Sequence, residues 1–391
     1  MLNNKFVKFA IPVAVGALAL TACGGGKDDS GKGGGGKPTF SIGFQGPLSG
    51  DNSALGINED NGLKLAVEEA NKKGDLPFTL KVVDGDDQGL PDQAPAAAQK
   101  LIGDTSVVAV VGPAFSGPTK ASGGLYAQAQ LAAVTPSATN PDLTSQGFTS
   151  FLRGAPNDNE QGAGMAEYLS KKEKAKKVFV IDDKSEYGVG LAKVAIDSLK
   201  AAGVTVETDS VPAKTPDYTA AATKVVNSNA DALIYAGYYA DLAPFAKKLK
   251  DGGFKGIGIS GDGSNDAKFV ELAGAAADKW FLTCPCTDAT KNESTKAFTE
   301  AYTAKFNTPP GTYSAESYDI ANLIISEMKK LGKDVTRDKL LAALKGVNYK
   351  GLTKEFAFDD KGELKTKNVY LYQVADGKIG YLGDVATLSN G

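Results

Sequence analysis

The hydrophobic and polar positions of this chain alternate between strand-like and helix-like patterns. Val107–Val111 is an unbroken apolar run that ends at Gly112. A short run this apolar is typical of a parallel strand covered on both faces, so we expect it in the middle of a sheet. Ser116 and Pro118 then mark a helix start, with Ser116 as a hydroxyl cap. Ala133 and Val134 then lead into another strand, and a turn follows at 135–140.

The same alternation continues on both sides of this central unit. Strands are expected at 39–44 and 78–83, and helical spacing follows each of them. Further strands are expected at 177–181, 204–211, 232–236, 256–260 and 280–283, with helices at 159–169, 218–226, 242–249 and 267–272. One more helix has its inward face at 191–199 and ends before Gly203. Three more helices are expected at 294–306, 317–331 and 336–344, and hairpin-like strands near 355–358 and 368–374. Strands that alternate with helices over short connections predict an α/β fold with doubly wound, mostly parallel sheets.

The chain length predicts two compact bodies. Its 391 residues are too many for one hydrophobic core, and no Gly/Pro/Ser linker divides the apolar pattern internally. The chain therefore crosses between the two bodies more than once. We expect lobe 1 to comprise residues 39–155 plus about 287–367, and lobe 2 to comprise residues 156–286 plus about 368–391.

The N-terminus has the pattern of a targeting segment. Lys5 and Lys8 precede an apolar stretch at 9–19 that is too short to span a bilayer, and the segment ends in Leu-Thr-Ala-Cys23. This ending resembles the bacterial lipobox, with an ordinary secretory signal as the alternative. We expect residues 1–22 to be a signal peptide, Cys23 to carry a lipid, and 23–38 to be a glycine-rich tether. The protein would then be held by its lipid on the extracytoplasmic face of the cell membrane.

Composition excludes several classes of function. A formal net charge of −3 offers no broad basic surface for nucleic acid. The chain has no histidine, which removes Ser-His-Asp and Cys-His nucleophiles and the commonest metal ligand. No pairing of a nucleophile with a base is visible either, so we expect a protein that is not an enzyme and that uses no cofactor or metal. Cys284 and Cys286 could form a disulfide or remain two thiols.

Candidate ligand-binding residues follow the expected strands. The carboxyl ends of parallel strands meet at one edge of a sheet, where open α/β proteins bind ligands. Ser116 at a helix start and Thr139 in the turn after the next strand could bind an anion there. The alternative is that Ser116 only caps its helix and Thr139 only forms a turn.

Three residues of the second half suit a cation. Tyr187, Tyr238 and Asp262 each come shortly after an expected strand. Aromatic rings beside one carboxylate attract an ammonium group through cation–π and ionic interactions. The alternatives are surface packing for the tyrosines and a turn for Asp262. An anion site on one lobe and a cation site on the other would hold a small zwitterion between them.

Several segments together resemble one family. The motifs are VVGPAFSGPT, TPSATNPDLT, DDKSEYGVGLA and ALIYAGYY, and the similarity extends from about residue 39 to the C-terminus. They are similar to the leucine/isoleucine/valine-binding proteins, the receptor components of branched-chain amino acid ABC transporters. The resemblance implies a type I periplasmic-binding-protein fold with the ligand cleft between two lobes. It also implies a monomer that delivers an amino acid to a permease with separate ATPase subunits.

The resemblance assigns roles to the candidate residues. Ser116 matches the serine that binds the ligand carboxylate, and Thr139 matches the threonine that shares this task. Ser137 and Ala138 fall where the family offers backbone groups, including a carbonyl for the ammonium.

In the second lobe, Tyr187 and Tyr238 match two tyrosines of the family. Asp262 stands where the family has an acidic residue, commonly Glu, that pairs with the ammonium. Its side chain is one methylene shorter than Glu, so a water could mediate this contact.

Two positions depart from the family pattern. Leu55 and Ala315 stand where well-known members place aromatic rings against the ligand side chain. The apolar half of the pocket should therefore be larger or differently shaped, or Phe115 should fill the space. An amide, urea or aromatic acid ligand in the same fold is one alternative, and a surface lipoprotein without a transport role is another.

Overall fold

The computed structural model describes residues 36–390. The expected signal peptide, Cys23 with its expected lipid, and nearly all of the expected tether lie outside the described residues. Within 36–390, no helix combines the length and the apolar character that crossing a bilayer requires.

The first sheet is parallel and has the strand order β2-β1-β3-β4-β5. Its strands and intervening helices are β1 (Thr39–Gly46), α1 (Ser53–Lys73), β2 (Thr79–Asp86), α2 (Ala94–Gly103), β3 (Val107–Val111), α3 (Ser116–Gln128), β4 (Ala132–Thr135) and β5 (Phe151–Arg153). As expected, β3 is the central strand, and all five of its residues are buried. Burial of a side chain such as Val stabilises the fold by roughly 1.5–3 kcal/mol, so β3 anchors this sheet.

The second sheet repeats this order with its next five strands. The elements are α4 (Asp158–Glu167), β6 (Lys177–Asp182), α5 (Glu186–Ala201), β7 (Thr205–Ser210), α6 (Thr219–Asn227), β8 (Ala232–Ala236), α7 (Tyr239–Asp251), β9 (Ile257–Ser260), α8 (Ala267–Ala273) and β10 (Phe281–Cys284). The parallel part has the order β7-β6-β8-β9-β10, and two antiparallel strands extend it beyond β10. The expected α/β fold with two mostly parallel sheets is confirmed.

The C-terminal third contributes to both sheets. Its elements are α9 (Lys296–Phe306), α10 (Ser314–Leu331), α11 (Arg337–Lys345), β11 (Asn348–Lys350), β12 (Glu355–Ala357), β13 (Tyr370–Ala375), β14 (Lys378–Asp384) and α12 (Val385–Asn390). The helices α10 and α11 pack with α1 on one face of the first sheet, and α2 and α3 cover the other face. The strands β13 and β14 complete the second sheet. We use lobe 1 and lobe 2 for the first and second sheets with the helices packed on them.

The strands expected near 355–358 and 368–374 are present, but they pair with neighbours that the sequence did not indicate. β12 pairs with β11 in a separate two-stranded sheet. β13 pairs with β10 on one side and with β14 on the other. The sequence did not predict β14. Its residues are mostly exposed, and Gly380, Gly383 and Asp384 interrupt an alternating pattern of apolar and polar residues.

Candidate functional site

The candidate site lies where the loops of both sheets meet. In each sheet the direction of the strand order reverses between two neighbouring parallel strands, which are β1 and β3 in lobe 1 and β6 and β8 in lobe 2. The carboxyl ends of such strand pairs form a crevice that binds ligands in open α/β sheets. Both crevices contribute to one small, largely enclosed cavity. The cavity is lined by Leu55, Glu59, Ala114, Phe115, Ser116, Ser137, Tyr187, Tyr238, Asp262, Gly263 and Tyr313.

Asp262 is held by three donors at the lobe 2 side of this cavity. Its Oδ1 accepts hydrogen bonds from Gln161 Nε2 at 2.6 Å and from the Tyr187 hydroxyl at 2.8 Å. Its Oδ2 accepts one from the Tyr313 hydroxyl at 2.9 Å. Burial raises the pKa of Asp262, and the three hydrogen bonds oppose that rise. A fixed, buried carboxylate of this kind suits an incoming ammonium group.

The tyrosines bring an aromatic wall to the cavity. The rings of Tyr187 and Tyr238 lie 5.2 Å apart. Phe115 from lobe 1 stacks on Tyr238 with 4.4 Å between ring centres. Tyr187 reaches Asp262 because Gly261 has no side chain, since a Cβ there would lie 2.2 Å from the tyrosine oxygen. The sequence placed all of these aromatic rings at the site, although it gave Phe115 only a space-filling role.

Ser116 lines the lobe 1 side of the cavity, but it does not cap its helix. The cap position of α3 is Phe115, and Ser116 is the first helical residue. The expectation of a hydroxyl cap was therefore wrong. The cap position, which has an extended backbone, falls on Phe115, one residue before the serine. The Ser116 hydroxyl accepts a hydrogen bond from the backbone N–H of Asn140 at 3.2 Å. The proton of this hydroxyl therefore remains available to donate to a ligand. An anion at this position would also face the positive end of α3.

The turn after β4 contributes less than the sequence suggested. Ser137 lines the cavity, whereas Ala138 and Thr139 do not. The Thr135 hydroxyl accepts hydrogen bonds from the amides of both Ser137 and Ala138, and the Ala138 carbonyl accepts one from Arg153.

Thr139 is fully buried, and its hydroxyl has no hydrogen-bond partner within the described part of the chain. It lies beside Asp158, whose pKa is raised by burial. A ligand could therefore reach the Thr139 hydroxyl only after a small rearrangement of this turn.

The apolar half of the cavity departs from one sequence expectation. Leu55 lines the cavity from α1. Ala315 does not, because it packs with Leu65 and Phe298 in a separate cluster. The aromatic ring from this segment comes instead from Tyr313, two residues earlier. Its φ of 63° is uncommon for a bulky residue and is typical of functional sites, but no sequence pattern reveals a backbone angle.

Glu59 is the second lining residue that the sequence reasoning missed. It lies one helical turn after Leu55 on α1 and is completely buried. Burial raises its pKa well above the usual value, and the nearby carboxylates of Asp87 and Asp262 add to the rise. The only available signal was its spacing of four residues from Leu55.

The two lobes contact each other around the cavity. Lys120 of lobe 1 forms a salt bridge with Glu186 of lobe 2 at 2.9 Å. The Asn140 side chain donates to the Glu186 carbonyl at 2.6 Å, and Asn58 donates to Asp266 at 3.1 Å. The cavity is thus enclosed from both sides. A more open surface depression near Lys305 contains none of the expected site residues.

Cys284 and Cys286 form a disulfide. They lie at the end of β10 and just beyond it, where the chain passes from lobe 2 to α9. Both cysteines are buried, and the Cys286 carbonyl accepts a hydrogen bond from the Tyr372 hydroxyl at 2.8 Å. The structure therefore favours the disulfide over two free thiols.

Comparison with known proteins identifies relatives of the same architecture. A family model described as periplasmic binding protein matches residues 39–378. The Leu/Ile/Val-binding protein BraC3 of Rhizobium johnstonii is 32% identical over 87% of this chain and 93% of its own length.

Two solved structures are also similar. One is the substrate-binding protein LivJ of Streptococcus pneumoniae in complex with isoleucine, with a TM-score of 0.80 and 31% identity over 88% of this chain and 99% of that one. The other is the leucine-binding protein LivK of Thermotoga maritima, with a TM-score of 0.82 and 26% identity over 88% of this chain and 98% of that one.

Two α/β lobes that enclose a small cavity with polar anchors from both sides define a solute-binding receptor. The family match covers most of the chain, and the relatives share this architecture. The chain belongs to the periplasmic binding protein family, whose type I fold it has. The relatives named above are branched-chain amino acid binding proteins, and the family is one of substrate-binding receptors.

Proposed function

We propose that this protein captures an α-amino acid, with leucine, isoleucine and valine as the first candidates, and delivers it to an ABC importer. The observation that carries the proposal is the presence of Ser116 and Asp262 in one small cavity, from opposite lobes. The serine and the helix N-terminus suit a carboxylate, and the aspartate suits an ammonium. The names of the relatives support branched-chain amino acids.

Capture would proceed by closure of the lobes. A ligand first binds one lobe, and the second lobe then replaces water around its charges. The contacts between Lys120 and Glu186 and between Asn140 and Glu186 would form in this step. No bond in the ligand breaks. The closed protein would then dock on a permease whose ATPase subunits are separate chains.

The proposed lobe limits are the expected ones, residues 39–155 with about 287–367 and residues 156–286 with about 368–391. The sheets that β5, β10 and β13 belong to support these limits, and so does the packing of helix α4 in the core of lobe 2. We also propose that a lipid on Cys23 holds the receptor at the extracytoplasmic face of the membrane, as the lipobox-like ending Leu-Thr-Ala-Cys23 suggests.

A thermal-shift screen tests the function directly. The purified protein is heated with each common amino acid, and with acetamide, urea and benzoate as representatives of the alternative ligands. A ligand that binds only the folded state raises the Tm, and the increase grows with ligand concentration. We expect an increase with one or more of leucine, isoleucine and valine. An increase only with the amide, urea or benzoate would favour the alternative ligands, and no increase with any compound would favour a surface lipoprotein without transport.

A further inference from the structure

Glu59 is a buried acid without a partner. Neither of its carboxyl oxygens has a hydrogen-bond partner within residues 36–390, and the side chain is 0% exposed. The Ser137 hydroxyl lies beside it but donates to the Ala114 carbonyl at 2.7 Å. A buried carboxyl group that forms no hydrogen bond destabilises the folded protein. Its presence here therefore points to a bound ligand that supplies the missing donor.

The neighbouring acid on the same helix shows the contrast. Asp60 follows Glu59 directly and is also buried, but Lys64 donates to it at 2.5 Å. Lys64 also donates to Asp84 at 2.9 Å, so its charge is already shared between two carboxylates. Asp60 thus has a structural partner from its own helix, and Glu59 has none.

Glu59 lines the same cavity as Asp262. Two of the three hydrogen bonds to Asp262 reach Oδ1, so Oδ2 accepts only one and retains capacity for another. No Lys or Arg is among the lining residues. Two carboxyl groups from opposite lobes therefore face one small space to which the described residues contribute no cation.

We propose that Glu59 is a second acceptor for the ligand's ammonium group, which lies between Glu59 of lobe 1 and Asp262 of lobe 2. This inference rests on the proposed function. An ammonium has three N–H donors, which is enough for one hydrogen bond to each carboxylate and a third elsewhere. Burial and the neighbouring acids disfavour the charged form of Glu59 in the empty cavity, and the positive charge of the ammonium favours it, so the closed form gains most when an amino acid is bound.

This arrangement makes Glu59 a residue that determines specificity. A carboxylic acid that lacks the ammonium would leave both acids without a cation. We therefore expect the cavity to bind a ligand that matches an amino acid in shape but carries a hydroxyl in place of the ammonium measurably but much more weakly.

Isothermal titration calorimetry with two matched ligands tests the inference. The ligands are leucine and 2-hydroxy-4-methylpentanoate, which has a hydroxyl in place of the ammonium. Glu59→Gln keeps the shape of the side chain and removes its charge. We expect this variant to weaken leucine binding by at least about tenfold, the scale expected when a buried charge pair loses one partner, and to change binding of the hydroxy acid by less than about threefold. Asp60→Asn is the matched control, and its leucine affinity should equal that of the wild type.

One calorimetric outcome would overturn the inference while leaving the proposed function intact, namely a Glu59→Gln variant that binds leucine within about threefold of the wild type. A wild type that binds the hydroxy acid as tightly as leucine would overturn the ammonium role of both Glu59 and Asp262. If the wild type binds neither leucine nor any other amino acid, the proposed function itself fails and this inference falls with it.

A crystal structure of the wild type with leucine provides a readout that does not depend on the variant folding. We expect a Glu59 carboxyl oxygen within about 3.2 Å of the ligand nitrogen, the upper limit of a normal N–H···O hydrogen bond. A leucine whose ammonium contacts Asp262 but lies beyond hydrogen-bond distance of Glu59 would refute the role of Glu59 alone.

Discussion

Asp262 is the residue on which the proposed recognition depends most. Its carboxylate is positioned by Gln161, Tyr187 and Tyr313, and no Lys or Arg among residues 36–390 lines the cavity to neutralise it. An ammonium would form a charge-assisted hydrogen bond there, which is about twice as strong as a neutral one.

Replacement of Asp262 by Asn should weaken binding of an α-amino acid by well over about tenfold, since the shape is kept and the charge is lost. Calorimetric titration measures the change. Asp241→Asn is a matched control, because Asp241 is another buried lobe 2 aspartate that accepts a tyrosine hydroxyl, from Tyr218 at 2.6 Å. Unchanged amino acid affinity in Asp262→Asn would remove the ammonium role from this residue.

Asp183 makes a separate prediction about pH. Burial raises its pKa to about 6, and the carboxylates of Asp241 and Asp182 add to this effect, while hydrogen bonds from Ser185 oppose it. The folded state therefore binds a proton more tightly than the unfolded state. The corresponding stability is fully present below about pH 4, the unfolded value for Asp, and is lost as the pH rises through about 6.

Asp183→Asn should remove this pH dependence. The pKa of Asp183 rises by about two units, and each unit corresponds to about 1.4 kcal/mol. The free energy of unfolding of the wild type should therefore fall by on the order of 3 kcal/mol between pH 4 and pH 7 through Asp183, and the variant should lack this decrease. Urea denaturation of both proteins at several pH values measures the difference. Parallel curves for the wild type and the variant would show that Asp183 is not responsible. The Asp183 Oδ2 atom has no hydrogen-bond partner among the described residues, so the new amide replaces no existing acceptor bond at that position.

At the scale of elements, helix α3 presents Ser116 and its N-terminal amides to the cavity. Both groups would bind the ligand carboxylate. Ser116→Ala should therefore weaken leucine binding by about ten- to 150-fold, the contribution of one hydrogen bond to a charged group. It should change binding of leucinamide, which has no carboxylate, much less.

Ser122→Ala is the control for this helix, because the Ser122 hydroxyl donates to the Pro118 carbonyl at 2.8 Å and lies outside the cavity lining. Titration of both variants with both ligands gives the comparison. An equal loss for leucine and leucinamide in Ser116→Ala would mean that the serine supports the site without binding the carboxylate.

The strands and helices that carry the site could be predicted because their patterns are local. The apolar run of β3, the strands β6 and β8 and the helices after them follow directly from hydrophobic periodicity. Their order along the chain also predicted which residues reach the carboxyl ends of the strands. Ser116, Tyr187, Tyr238 and Asp262 were identified in this way.

The residues that the sequence did not indicate depend on nonlocal structure. Tyr313 enters the cavity because its backbone adopts a left-handed conformation before α10, and Ala315 consequently faces another cluster. Glu59 was missed because a charged side chain on an amphipathic helix usually lies on the solvent face. It is buried here because α10 packs directly on α1, and the Ser317 hydroxyl donates to the Glu59 carbonyl at 2.6 Å.

At the scale of the whole molecule, the account requires the two lobes to close around the ligand. One close approach across the cleft occurs at Gly190 of α5, where a Cβ would lie 2.7 Å from the Asn140 side-chain nitrogen. Asn140 is on lobe 1 and donates to the Glu186 carbonyl on lobe 2. A side chain at position 190 would therefore hold the lobes apart.

Gly190→Val should weaken amino acid binding by at least about tenfold. With the lobes held apart, the ligand would keep the polar contacts to one lobe and lose those to the other. Small-angle X-ray scattering should show a radius of gyration that falls when ligand is added to the wild type and stays constant in the variant. Gly103→Val is the control, since no atom lies within 4 Å of the Cβ position at Gly103. Ligand-induced compaction that persists in Gly190→Val would contradict the proposed closure.

The most direct measurement is a crystal structure of the protein with the amino acid that gives the largest thermal shift. We predict that the ligand lies in the cavity between the lobes, with its carboxylate at Ser116 and the N-terminus of α3 and its ammonium at Asp262. A ligand bound outside this cavity, or one whose carboxylate points toward Asp262, would contradict the account.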